Sequence, residues 1–201
     1  TFRKLWAAQA VSAFGARITR EGLPIMAVVT LGAGAVTLGV LAAVASGAAL
    51  VAALAAGPFI DRHRRRPLLI GADLLRAAVL ISIPLAAWLG VLTLPQVFAA
   101  AALVAAASVA FDIASHSYLP SIIGKAELID GNSRLAATES VAEVGGPALA
   151  GALFQWLSAP IALAANAVTY LASAGFLAAI RTPEAAPEPS PPEHWTREVT
   201  E

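Results

Sequence analysis

The stretch GPFIDRHRRRP, Gly57 to Pro67, sets charge between two greasy runs. No charged residue occurs from Gly22 to Ile60, and a mostly apolar run follows Pro67, yet Asp61, Arg62, Arg64, Arg65 and Arg66 are all charged and the remaining residue of that block is His63. Four arginines between two hydrophobic segments form a strong topogenic signal, because a basic loop stays on the cytoplasmic side of a bilayer. The stretch therefore reads as a loop between two membrane spans.

Composition agrees. The chain has 201 residues, of which 58% are hydrophobic and 13% charged, and its mean hydropathy is +0.75; a soluble domain carries roughly a quarter charged residues. Its net charge is zero, so bulk electrostatics offers nothing to nucleic acid. The absence of cysteine excludes disulfides, thiolate nucleophiles and cysteine metal sites. No HExxH, GxSxG or phosphate-cradling glycine loop occurs, and His63, His116 and His194 are scattered. Neither an enzyme nor a cofactor or metal is indicated. Arg17 and Arg20 interrupt the apolar run near the start, so no cleaved signal peptide is read there.

A spanning helix needs ~20 predominantly apolar residues. Six are predicted: about Leu5–Leu31, Val36–Ile60, Pro67–Gly90, Pro95–Tyr118, Leu135–Leu157 and Pro160–Ile180. The first contains Arg17, Arg20 and Glu21. Starting it after Glu21 would leave about half the length a bilayer requires, so the charged turn belongs inside the span; the rival is a surface helix followed by a tilted or re-entrant segment. With six spans, Arg3, Lys4, Arg62, Arg64, Arg65, Arg66, Lys125, Arg134 and Arg181 fall on one side, while the opposite turns carry no Lys or Arg. Both termini are then cytoplasmic and the bilayer is the inner membrane. Trp88 and Trp156 fall at the outer ends of the third and fifth helices, where indole favours the interface. The proline-rich tail, 182–201, reads as a solvated linker.

Gly57, Asp61, Arg62, Arg65 and Arg66 resemble the loop signature between helices 2 and 3 of the major facilitator superfamily, with Arg64 where that signature has a second glycine. FRKLWAAQAVSAFG, REGLP, FDIASHSYLPSIIGKAELIDGNS and ESVAEVGGPALAG, in this order, are similar to the enterobactin-exporter-like and macrolide-efflux-like branch. The resemblance implies an all-α membrane protein: residues 1–181 as a six-helix N-terminal half built of 3+3 inverted repeats, and 182–201 leading to a second six-helix half in the same polypeptide. It implies secondary transport, with export of a small amphipathic drug or siderophore. The loop would be a cytoplasmic latch in which Asp61 and Arg65 gate across the interface between halves, an assignment weakened by Arg64, which lacks glycine's backbone freedom. Gly145, Gly146, Pro147 and Gly151 resemble the helix 5 glycine-proline motif of family antiporters and suggest a bend. A non-transporting scaffold, or a half-size subunit that pairs with another six-helix unit, has the same spans.

Ionisable residues inside spans mark candidate sites, since each costs a few kcal/mol unless it meets water or a partner. Arg17 and Glu21, four apart at mid-depth, can pair and are the first substrate-cavity candidates; Asn166 and Tyr170 on the sixth helix add neutral hydrogen-bonding groups. Asp73 and Arg76, three apart, can neutralise each other within the third helix. Glu139 and Glu143 lie on one face of the fifth helix with no basic residue within a turn of Glu143. Repulsion and burial favour a shared proton, which makes Glu143, Glu139 and Asp112 the proton-coupling candidates; the alternative is that the two glutamates pair with Arg134 or with the fourth helix. Asp112 and His116 could join the Arg62–Arg66 loop in one charge network. Stripes Gly39/Ala43/Gly47 and Ala142/Gly146/Ala150 are predicted to let helices approach closely.

Overall fold

A computed structural model describes residues 2–124 and 127–180. Lys125, Arg181 and the 182–201 linker lie outside the described residues, as does the side chain of Asp61. The described residues form six α-helices: α1 (Phe2–Leu31), α2 (Ala35–Asp61), α3 (Arg65–Trp88), α4 (Leu94–Ile122), α5 (Leu128–Trp156) and α6 (Ala159–Ala178). Each predicted span is present. α1 is continuous through Arg17, Arg20, Glu21 and Pro24, without the break after Glu21 that the surface-helix alternative supposes. α5 begins earlier than expected, because LIDGNSR is helical; Asp130 sits in its first turn and accepts from Arg134 Nε at 2.9 Å. An acidic group there complements the helix dipole.

Four helices, α2, α3, α4 and α6, are long and apolar enough to cross a membrane by length and composition. α1 and α5 match them in length but carry charge, and Arg17, Arg20, Glu21 and Glu139 among these charges line the cavity described below. Gly32 and Gly90 close α1 and α3 at φ +66° and +69°, a left-handed conformation that a side chain would disfavour. After Gly90, Val91 N–H reaches back to Ala86 O at 2.9 Å and turns the chain sharply.

The packing repeats. α1 packs on α5 and α6, α4 packs on α2 and α3, and α3 meets α6 along the middle. Exchanging α1 with α4, α2 with α5 and α3 with α6 leaves this pattern unchanged, as expected of two three-helix repeats related by a pseudo-twofold. Two apolar clusters fill the bundle. One, around Leu5, Ile60, Tyr118 and Ile180, lies at the end that carries the basic loop. The other, around Met26, Leu80, Val97 and Leu163, lies toward the opposite turns.

Small residues set the close approaches. A Cβ on Gly15 would collide with Thr169 Oγ1, and one on Gly146 would collide with the Arg17 side chain. The α5 stripe Ala142, Gly146 and Ala150 is buried, as expected. The α2 stripe is not: Gly39, Ala43 and Gly47 are exposed, and a Cβ on Gly39 or Gly47 would meet nothing within 4 Å. The reason is that α2 leans on α4 by its other face, through Leu41 and its neighbours.

Candidate functional site

Between the two apolar clusters lies a polar layer, and a cavity of about 800 Å³ opens beside it. Alanine, valine and leucine of α1, α2 and α4 make much of its wall. Arg17, Arg20, Glu21, Arg76, Asp112, His116 and Glu139 supply the charge and titratable groups. A volume of this size suits a drug-sized molecule.

The centre of the polar layer is Arg76 on α3, 1% exposed. Its Nη2 pairs with Asp73 Oδ1 one turn earlier, and its Nη1 donates to Ser108 Oγ of α4 at 3.3 Å. The guanidinium carbon lies 4.5 Å from the ring centre of Phe111 on α4 and 4.4 Å from that of Tyr170 on α6. Two aromatic faces thus hold the buried cation by their quadrupoles. Asp73 is wholly buried and accepts from Ser12 Oγ of α1 at 3.4 Å. Four helices are therefore joined through one ion pair. The helix-internal pairing of Asp73 with Arg76 is as expected, but its bridging of α1, α4 and α6 was not visible in the sequence, because the spacing of two residues on α3 says nothing about what faces them.

Arg17 does not pair with Glu21. Its Nη1 contacts Glu143 Oε1 of α5 at 3.3 Å, since Gly146 brings α5 against the Arg17 stem. This corrects two expectations. Glu143 has a basic partner supplied by another helix, and its side chain is 65% exposed, so neither missing partner nor burial sets it apart. Glu21 and Arg17 both line the cavity, each without the other. Glu139 diverges from Glu143: it accepts from Gln9 Nε2 at 3.4 Å and lies 3.8 Å from His116 Nε2 of α4. The fourth-helix alternative thus describes Glu139. Gln9 also accepts from Ser115 Oγ, tying α1 to α4.

Asp112 and Glu139 line the cavity together with His116. Among the described residues, Asp112 and His116 form no network with the Arg62–Arg66 loop, because α4 turns them to the cavity. Asn166 and Tyr170 are not cavity residues. Both are buried at the α1–α6 contact, where Asn166 Nδ2 donates to Gly15 O at 2.9 Å and Thr19 Oγ1 at 2.6 Å, and Tyr170 Oη lies 3.4 Å from Thr19 Oγ1. Their hydrogen bonds join α1 to α6.

At the basic loop, Arg66 donates from Nε to Leu177 O at 3.0 Å and from Nη2 to Ala178 O at 2.7 Å. Lys4 Nζ donates to Ala179 O at 2.7 Å. Cations here satisfy carbonyls left open at the end of α6 and meet its negative dipole end. The start of α1, the α2–α3 loop and the end of α6 therefore share one face. Arg66 is bound to the end of α6 within this six-helix unit. Arg64 adopts φ −66° as the N-cap of α3, a conformation open to any residue, so glycine is not required there. Gly57 and Gly151 have no neighbour within 4 Å of a built Cβ, whereas one on Gly145 would touch Phe14 at 3.4 Å. Pro147 lies inside the continuous α5.

Residues 5–201 match the family described as Major Facilitator Superfamily. No curated protein and no solved structure matches the chain.

Proposed function

The chain belongs to the Major Facilitator Superfamily of membrane transporters, and from that premise we propose that it exports a small amphipathic compound by alternating access, driven by inward proton movement. The observation that carries this reading is the cavity of about 800 Å³, apolar over most of its wall and edged by ionisable groups. Apolar walls take an amphipath of varied shape, and the few charges orient it. Within the superfamily, the enterobactin-exporter-like and macrolide-efflux-like branch supplies the direction.

Asp112 and Glu139 are the proton carriers in this reading. Both face the cavity, Asp112 without hydrogen bond or ion pair among the described residues and Glu139 beside His116. Arg17 and Glu21 contact the substrate. A second six-helix half in the same polypeptide completes the cavity, and the exposed Gly39/Ala43/Gly47 stripe of α2 is a surface on which its helices can approach closely. The loop Gly57–Arg66 latches the cytoplasmic side, with Asp61 and Arg65 as gate residues. The protein sits in the inner membrane with the ends of this segment cytoplasmic.

Vesicles with an imposed pH gradient, loaded with a panel of siderophores and antibiotics, test the proposal. Uphill movement of at least one compound that stops when the gradient is collapsed is the expected result. Movement that ignores the gradient removes the proton; no movement of any compound favours a scaffold.

A further inference from the structure

The cavity wall carries three arginines, Arg17, Arg20 and Arg76, and three carboxylates, Glu21, Asp112 and Glu139. Formally it is balanced. Two of the arginines, however, are held by carboxylates that are not part of the wall: Arg17 by Glu143, and Arg76 by Asp73. Glu21 and Asp112 make no hydrogen bond or ion pair among the described residues. What remains facing the cavity is three carboxylates against Arg20, with His116 beside Glu139.

Arg76 decides the balance. It reaches the wall, yet two ring faces and the Asp73 carboxylate hold its guanidinium in place. Its α4 contacts are Ser108 and Phe111, and Asp112 follows Phe111 directly and lies one turn beyond Ser108. The Arg76 charge is therefore within a helical turn of Asp112 and acts on it, but it is shared with Asp73, which takes the direct hydrogen bond. A carboxylate left without a partner inside a membrane needs a cation.

We propose that Asp73 is a specificity-determining residue that acts through Arg76: by taking the guanidinium's direct pairing it leaves Asp112 only partly compensated and tunes the cavity to amphipathic cations. An anion of the same shape meets Glu21, Asp112 and Glu139, while the faces of Arg76 are covered by aromatic rings. The inference rests on the transporter reading, whose substrate class it names.

Tetraphenylphosphonium and tetraphenylborate share size and shape and differ in charge. Their binding to the full-length protein in nanodiscs, measured against empty nanodiscs at mildly alkaline pH, should favour the cation by about tenfold or more, the scale of one charge contact. Asp73→Asn frees Arg76 to compensate Asp112, and the preference should fall toward parity. Asp73→Asn combined with Arg76→Gln removes both charges, exposes Asp112 again and should restore it; a merely structural role predicts no such rescue. If Asp73→Asn does not fold, Asp112→Asn, which alters only the cavity surface, carries the same expectation of lost preference. Equal binding of both probes by the natural protein overturns the inference, as does a preference that survives Asp73→Asn or Asp112→Asn, or a folded double variant without rescue. Binding selective for the cation but with no flux in pH-gradient vesicles would instead overturn transport and leave this inference standing.

Discussion

Arg17 on α1 and Glu143 on α5 form an ion pair with Nη1 and Oε1 3.3 Å apart. The contact links the two helices that Gly146 already brings together, and Glu21, one turn away, has no hydrogen bond or ion pair among the described residues. Because the Glu143 side chain is 65% exposed, the pair should contribute only about 0–1 kcal/mol. Glu143→Gln is therefore expected to leave uphill, pH-driven transport largely intact, whereas Asp112→Asn should abolish it. Transport in proteoliposomes at matched protein amounts checks both. Loss of coupling in Glu143→Gln alone would make Glu143 the proton carrier.

The chain contains no cysteine, so single replacements report accessibility without a background. Cysteine at Arg17, Glu21 or Asp112 should react with a water-soluble thiol reagent, and substrate should slow the reaction. Cysteine at Asn166 or Tyr170 should stay unlabelled, because both side chains are buried between α1 and α6. Rapid labelling at Asn166 would place α6 on the cavity.

Asn166→Ala removes the donor to Gly15 O and Thr19 Oγ1 in a dry helix contact. A buried polar group left unmatched costs about 1–3 kcal/mol. The melting temperature in detergent should fall, while the affinity of the variant that remains folded should change little. A large affinity loss without destabilisation would make Asn166 a ligand.

Gly15→Leu and Gly39→Leu should differ sharply. The first drives a side chain into Thr169 and Asn166, and overpacking of this kind costs about 1–3 kcal/mol or more. The second meets nothing within 4 Å inside these six helices. Gly39→Leu should therefore spare the fold of this unit and show its effect only in transport, if the second half packs there. Expression and thermal stability separate the two cases.

Arg66→Gln takes charge-assisted hydrogen bonds from Leu177 O and Ala178 O, each worth about 1.5–3 kcal/mol at most. Fraying of the α6 end should follow, read as faster amide exchange at 177–180. Asp61→Asn, in contrast, should leave that end protected while slowing turnover, because its proposed role is in gating.

The span pattern was legible because membrane insertion acts on local composition. Runs of ~20 apolar residues and the basic loop between the second and third of them are properties of consecutive residues, and all six helices stand where those runs lie. α5 begins earlier than expected because Asp130 and Arg134 support helix outside the apolar run, where hydropathy carries no signal. The site was legible only in part. Arg17, Glu21, Asp112 and Glu139 stood out as charges in greasy helices, and they do line one cavity.

Which charge meets which was not a local property. Arg17 and Glu21 are four apart and suited to pair, but the close approach of Gly146 offers Arg17 a carboxylate on another helix. Asn166 and Tyr170 read as cavity groups until packing turned them toward Thr19. By itself the sequence determined six helices, their order and the face that carries the basic loop, since hydrophobicity and charge act on each segment separately. Only the tertiary structure decided that Asp73 holds Arg76 between Phe111 and Tyr170 and that Asp112 is left open to the cavity, because in a low-dielectric interior a charge answers to the nearest groups in space, and those come from other helices.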